Sequence, residues 1–317
     1  MSHLVESMAF VRDTPWHGLG NRLTEQQPLE VWLREAGMAW SIDQSDVLFN
    51  VSDTGMHIRS HTDAKVLYRS DTLAPLSVVS NRYQVVQPDE VLHFYKDLVE
   101  AGGFELETAG VLKGGKKLWA LARTGQESLL RGNDRVKAYL LLATSCDGSM
   151  CTTAQFTSVR VVCNNTLQMA VAERSGAVKV PHSTKFDPQA VKEALGLGLS
   201  GWEQFIGNLK QLSQRPISAS EAAQYFGEVL GEQILDLDNP SVSRAMQQVQ
   251  ALYSGAGMGS LLASSRGTAW GALNAVTEFV DHQRRARSQD YRLDSAWFGQ
   301  GAQLKSKALH QAMALLA

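Results

Sequence analysis

The sequence predicts an α+β protein: an antiparallel, β-rich core with hairpins and a packed helix, followed by an all-helical C-terminal part. Three observations lead there. Between residues 39 and 163, runs of alternating or β-branched residues are separated by turn signals. From about residue 187 the composition shifts to helix formers carrying capping signals. No internal repeat or low-complexity tract points to a solenoid or a disordered chain. The expected organisation is a mixed core domain over 1–186 and a helical region over 187–317.

In chain order, residues 1–28 read as irregular around Pro15-Trp16-His17-Gly18. A short helix over 28–37 places Leu29, Trp32, Leu33 and Ala36 on one face and stops at Gly37. Strands follow at 39–49, 55–61, 65–70 and 76–80, with turns near Asp53 and at His61-Thr62-Asp63. Pro88-Asp89-Glu90 starts a helix that runs to Gly102. Phe104–Leu112 and Lys117–Arg123 form a hairpin around Lys113-Gly114-Gly115-Lys116. Val136–Thr144 and Cys151–Phe156 read as antiparallel partners. Asn164-Asn165-Thr166 offers a cap for a helix through Ala172. Helices are expected at 187–213, 218–233, 240–254, 265–287 and 302–316, with Ser218-Ala219-Ser220-Glu221 and Asn239-Pro240 as starts and Gly255-Ala256-Gly257 as a stop.

The totals exclude several classes. A chain of 317 residues with 44% apolar and 20% charged residues buries a core without disulfides or metal. Three cysteines make no disulfide framework. No apolar run approaches the ~18 residues of a membrane span, and no signal segment opens the chain, so a cytoplasmic protein with no membrane partner is expected. A net charge of −2 argues against a generic nucleic-acid binder but leaves room for a local basic stripe.

Two cysteines flank Asp147-Gly148-Ser149-Met150. Gly148 accepts the positive φ of a tight turn, so this stretch reads as a hairpin loop. Zinc would need two more Cys or His ligands at a matching place, and none is spaced for it. No Walker loop is present, because Gly114-Gly115-Lys116-Lys117 lacks the required spacing and Ser/Thr. Gly255-Ala256-Gly257-Met258-Gly259 has no preceding strand, which argues against a dinucleotide site. No cofactor is expected.

Three groups of cations carry the binding reading. Lys113, Lys116 and Lys117 with Arg123 cluster at a hairpin tip, where lysines and glycine N–H groups suit phosphate; a solvated turn is the plain alternative. Arg160 opens Val161-Val162-Cys163 before Asn164-Asn165-Thr166, a junction that suits an anion or an internal ion pair. His282-Gln283-Arg284-Arg285-Ala286-Arg287 is the densest positive run. It complements a helix C-terminus, or forms a basic rim with Arg292 near Tyr291 placed for stacking on bases. An enzyme would be centred on His17 as base, Asp147 as orienter and Cys163 as nucleophile.

Beyond these groups, a series of motifs resembles a known family. Pro15-Trp16-His17-Gly18-Leu19-Gly20, Ala36-Gly37-Met38-Ala39-Trp40, Arg69-Ser70-Asp71-Thr72, Ala109-Gly110-Val111-Leu112 with Trp119-Ala120-Leu121-Ala122, Thr144-Ser145-Cys146-Asp147-Gly148-Ser149, Arg160-Val161-Val162-Cys163-Asn164-Asn165-Thr166-Leu167, and Gly267-Thr268-Ala269-Trp270 with Asn274-Ala275-Val276-Thr277-Glu278 resemble the phage/plasmid-related family of unknown function, domain of unknown function 932. The resemblance covers nearly the whole chain. Cys146 departs from the polar residue expected there. The resemblance implies a mobile-element gene, and the β-rich middle is similar to the β-β-β-α core of single-strand annealing proteins. What this implies is a DNA-metabolism protein that binds single-stranded DNA and promotes annealing as a ring or filament homo-oligomer. Its expected phosphate contacts are Lys113, Lys116, Lys117, Arg123 and Arg160, with Arg284, Arg285 and Arg287 as a second rim. The alternatives are a nucleic-acid- or nucleotide-processing enzyme on His17, Asp147 and Cys163, and a host-interaction module that counters host defence.

Overall fold

A computed structural model describes residues 5–12, 20–51, 57–160, 165–168, 170–171, 174–175, 177–195, 199–231, 243–287 and 289–316. The fold is α+β, with sheets that are antiparallel apart from the parallel pairing of residues 9–11 with 21–23, and a helical C-terminal region. The chain forms two compact units. The first comprises Met1–Thr124, Leu140–Gln155 and Ala177–Leu197; the second comprises Gly125–Tyr139, Phe156–Gly176 and Gly198–Ala317.

The first unit holds β1 (Val5–Val11), β2 (Asn21–Leu23), α1 (Leu29–Glu35), β3 (Ile42–Asn50), β4 (Ile58–Arg69), β5 (Pro75–Ser80), α2 (Pro88–His93), α3 (Lys96–Gly102) and β6 (Glu105–Leu112). It also holds part of β7 (Lys117–Leu130), β8 (Asp134–Ser145) and β9 (Thr152–Arg160), together with β13 (Ala177–Val180) and α4 (Pro188–Leu195). Among the described residues the larger sheet runs β10-β9-β8-β7-β6-β1-β2, where β10 is Asn165–Gln168 and β13 also pairs with β9; β11 (Ala170–Val171) and β12 (Arg174–Ser175) pair with each other. The β6–β7 hairpin forms as expected, with Leu112 opposite Lys117. Gly115 takes φ +99°, and a Cβ there would come within 3.1–3.2 Å of Leu76, Trp40 and Arg69, so the tip folds down only with glycine. Tyr95, fully buried, donates to the Ala120 carbonyl at 2.8 Å and the Leu140 carbonyl at 3.0 Å.

Two local expectations change in this unit. The segments expected as separate strands at 55–61 and 65–70 belong, where described, to the single strand β4. The anticipated turn at His61-Thr62-Asp63 is a bulge, where the register jumps from Asp46 opposite Lys65 to Val47 opposite His61. The helix expected from Pro88 to Gly102 is two helices, broken at Phe94-Tyr95, whose rings are both buried. Its start is capped by Gln87 and Glu90 in a reciprocal box.

The second unit is mainly helical: α5 (Leu199–Gln214), α6 (Ala219–Leu230), α7 (Arg244–Ala251), α8 (Ala269–Glu278), α9 (Gln289–Phe298) and α10 (Gln300–Ala314). Every residue of α8 is buried, so it is the axis around which Phe205, Leu209, Phe226, Val249 and Ala308 pack. Ser218 caps α6 as the sequence indicates: its hydroxyl accepts from the Glu221 N–H, and Glu221 accepts from the Ser218 N–H. α7 continues into a π-helical turn, Leu252–Ala256, with Gly255 at φ +135°, and α8 continues into another, Phe279–Gln283.

Three corrections belong here. Asn165 and Thr166 do not cap a helix. They open β10, which pairs antiparallel with β9, Asn165 opposite Arg160, and the Thr166 N–H goes to Asp281 at 2.8 Å. Strand pairing and a carboxylate distant in sequence satisfy the donors that a cap would have served. The helix expected over 265–287 starts at Ala269 and ends at Gln283, so Arg285 and Arg287 lie beyond it in a turn. Residues 289–298 form a helix that the sequence reading left out. The starts expected at Asn239-Pro240 and residues 232–233 lie outside the described residues.

Candidate nucleic-acid interface

The structure separates the eight cations singled out from the sequence into different environments. At the β6–β7 tip, Lys113 sits at φ +55°, half-buried; Lys116 is half-buried; and Lys117 is only 6% exposed. The tip is fastened to the 146–150 loop, because the Cys146 N–H donates to the Lys116 carbonyl at 2.8 Å and the Cys146 thiol to the Gly115 carbonyl at 3.2 Å. Burial pushes the Asp147 carboxyl up, but bonds from Ser149 and the charges of Lys117 and Lys116 bring it below its ordinary range. The tip lysines therefore already face a carboxylate of their own unit. Arg123 stands 3.4 Å from Glu107 and 4.0 Å from Glu105.

Arg160 lies at 2% exposure rather than on an open surface. Its Nε donates to both Asp134 oxygens at 2.8 and 2.9 Å, and its Nη2 donates to the Ser265 hydroxyl at 2.7 Å and the Gly259 carbonyl at 3.2 Å. Asp134 also accepts from Ser264 at 2.7 Å and from the Trp270 indole at 2.9 Å. This node ties the start of β8, the end of β9 and the loop before α8 together inside the second unit.

The remaining three converge. Val280, Arg284, Arg285, Arg287, Arg292 and Tyr291 line a cleft of about 540 Å³, with Ser295 and Gln300 on its wall. The turn that follows the π-helical end of α8 supplies Arg284, Arg285 and Arg287, and α9 supplies Tyr291 and Arg292. The π-turn is closed by the Arg284 N–H on the Phe279 carbonyl at 2.6 Å, which fixes where the arginines leave the helix. Arg284 Nη2 donates to Gln300 Oε1 at 3.3 Å, while its Nη1 is buried without a hydrogen-bond partner. Arg292 Nη1 donates to the His282 carbonyl, and its Nε is likewise buried without a partner. Arg285 and Arg287 are exposed, and the Arg287 guanidinium lies 6.0 Å from the centre of the Tyr291 ring, which is 41% exposed. Among the described residues, no carboxylate lines the cleft. Ser295 escaped the sequence reading because α9 did, and Gln300 because α10 starts there, two residues before the helix expected over 302–316. Leu293 and Ala296, both buried, are the three-residue spacing that marks this helix.

The loop between Cys146 and Cys151 shows no sign of thiol chemistry among the described residues. Cys146 and Cys151 are free thiols, and burial beside Asp147 pushes the Cys146 thiol up to about 12, which keeps it protonated and unreactive. Asp147 accepts from the Ser149 N–H at 3.0 Å as a turn residue. His17 and Cys163 lie outside the described residues. Among the described residues, no three His, Cys, Asp or Glu side chains form a metal-holding group, and no helix is long and apolar enough to cross a membrane.

The family model described as Domain of unknown function (DUF932) matches residues 75–297 of the 317. No curated protein and no solved structure matches the chain.

Proposed function

The chain belongs to the DUF932 family, and from that premise we propose that it binds single-stranded DNA along the arginine cleft of the second unit and promotes annealing of complementary strands. The observation that carries the reading is the convergence of Arg284, Arg285, Arg287 and Arg292 on one cleft that no described carboxylate lines. Phosphates supply the missing counter-charge, and release of their condensed counterions drives association. The exposed Tyr291 ring beside Arg287 favours a strand whose base faces are open over a duplex that hides them. Neutralising the backbones of two strands lowers their repulsion, so pairing proceeds downhill without a cofactor. A role in phage or plasmid DNA metabolism rests on the sequence resemblance.

The test is fluorescence anisotropy with a labelled single strand and the matching duplex from low to physiological salt, for the wild type and for Arg285→Glu/Arg287→Glu. Tight, salt-sensitive binding that favours the single strand and collapses in the variant supports the reading. No binding at low salt, or unchanged affinity in the variant, overturns it.

The homo-oligomer belongs to the same proposal, and its contact surface is the β3–β4 arm. Beyond the stretch paired with β5, this ribbon is largely exposed on both faces, with Leu48 at 60%, Phe49 at 47%, Val51 at 53% and Ile58 at 64%. A two-stranded ribbon is marginal alone in water. Val47–Val51 carries no charge, and β3 is an outer strand of its three-stranded sheet among the described residues. Antiparallel pairing with β3 of a second copy about Phe49 sets Leu48 against Asn50 and Val47 against Val51, so no like charges meet. Light scattering after size exclusion should give a multimer for the wild type and a monomer for Phe49→Glu. A wild-type monomer at micromolar concentration removes the arm contact.

A further inference from the structure

The same cleft supports a narrower assignment, which rests on the DNA-binding reading above. We propose that it receives a terminal phosphate, a phosphomonoester at a strand end, in preference to an internal phosphodiester.

The charge count comes first. An internal phosphodiester carries one negative charge on two free oxygens. A monoester carries about −1.5 to −2 at neutral pH and presents three acceptor oxygens. Four guanidinium groups around about 540 Å³, with no described carboxylate among them, exceed what one internal phosphate neutralises. The hydrogen bonds give the second argument. Among the described residues, Arg284 and Arg292 are each held by one neutral oxygen, from Gln300 and His282, and each keeps one buried nitrogen donor without an acceptor. A guanidinium matches an anion by presenting two parallel N–H groups, so a small rotation of either side chain toward a three-oxygen anion gives its second donor a partner. Buried donors without acceptors are costly, and two of the arginines that line this cleft carry one each. Exposed Arg285 and Arg287 remain for the next internal phosphates, and Tyr291 lies where the terminal base can stack. The strand end therefore seats in the cleft, and the body of the strand runs out over its rim.

The experiment compares three labelled single strands of one sequence: 5′-phosphorylated, 3′-phosphorylated and unphosphorylated. The proposal expects one phosphorylated form to bind about 10-fold or more tightly than the unphosphorylated strand, the scale of one extra charge-assisted contact. Which end wins identifies the source of the monoester. Arg284→Gln/Arg292→Gln should weaken the phosphorylated strand more than the unphosphorylated one. Should that double variant fail to fold, the single Arg292→Met variant must still shrink the preference, whereas Arg285→Ala should weaken all three strands alike. Tight but equal binding of all three strands overturns the terminal-phosphate assignment and leaves DNA binding standing; no binding of any strand overturns both. A preference that survives in every cleft variant places the phosphate elsewhere and also overturns the assignment.

Discussion

Arg160 and the Arg284–Arg292 pair lie in one unit and are the same residue type, yet their surroundings differ in the one respect that decides what an arginine is for. Arg160 meets Asp134 on two oxygens and finds Ser265 and Gly259 for a further donor. Among the described residues, Arg284 and Arg292 meet only neutral oxygens and keep buried N–H groups unmatched. A guanidinium whose acceptors come from its own chain holds the fold together. One whose acceptors are missing among the described residues is proposed to take an anion from outside. Density of positive charge in the sequence does not separate these cases; the presence of a carboxylate in space does.

The largest effect expected from this contrast is at Asp134. Asp134→Ala removes the acceptor of Arg160, Ser264 and the Trp270 indole at once and leaves a charge buried at 2% exposure. Breaking a buried pair from one side costs about 3–5 kcal/mol. Urea unfolding should register that loss. A change below about 1 kcal/mol would mean that the node is not what fastens β8, β9 and the loop before α8.

Glu278 sharpens the contrast from the acidic side. It is 4% exposed and, among the described residues, accepts from the Met258 N–H at 3.0 and 3.1 Å. Burial pushes its carboxyl above the ordinary 4.5, against the pull of the Met258 bond and of Arg160. Because the folded value is raised, its stabilising contribution is complete below pH 4.5 and is lost as pH rises through the folded value. The wild type should therefore lose stability relative to Glu278→Gln between pH 4.5 and 7, by at most about 1.4 kcal/mol per pH unit for one group. A difference that does not change with pH would show that burial of this charge carries no net penalty.

Arg292→Met is the reverse of Asp134→Ala. It removes the unmatched Nε donor together with the Nη1 bond to the neutral His282 carbonyl and keeps much of the side chain's packing, so the two effects offset and unfolding free energy should stay within about 1 kcal/mol of the wild type. Affinity for single-stranded DNA should fall all the same. A large stability loss would place Arg292 with Arg160 among the structural arginines and erase the contrast.

Much of the scaffold was legible because it is locally encoded. The Ser218–Glu221 box, the β6–β7 hairpin and the stop at Gly255 are each written within a few residues. What was not legible depends on distant partners. Thr166 resembles a helix cap until Asp281, also the partner of buried Lys305 at 2.6 Å, supplies the acceptor and β9 supplies the strand. Arg160 looked available for phosphate because Asp134 and Ser265 lie 26 and 105 residues away in the chain. The cleft was half legible. Arg284, Arg285 and Arg287 stand in one run and Arg292 beside Tyr291, but only the π-turn that ends α8 and the helix α9 bring the two groups onto one surface.

The smallest effect is expected where the sequence signal was most conspicuous, the Lys113–Lys117 tip. Lys116 is half-buried, its carbonyl accepts from Cys146, and its charge helps hold Asp147 ionised. An ammonium already near a carboxylate releases few counterions when DNA arrives. Lys116→Ala should therefore leave the slope of log affinity against log salt unchanged, whereas removal of a true single-strand phosphate contact flattens it by about 0.7. The variant should instead let the Asp147 carboxyl drift up toward its ordinary range, since one of the charges that lowers it is gone. A slope change near 0.7 would make the tip a second contact surface, and the contrast between satisfied and unsatisfied cations would then have to extend to charges that trade an internal partner for an external one.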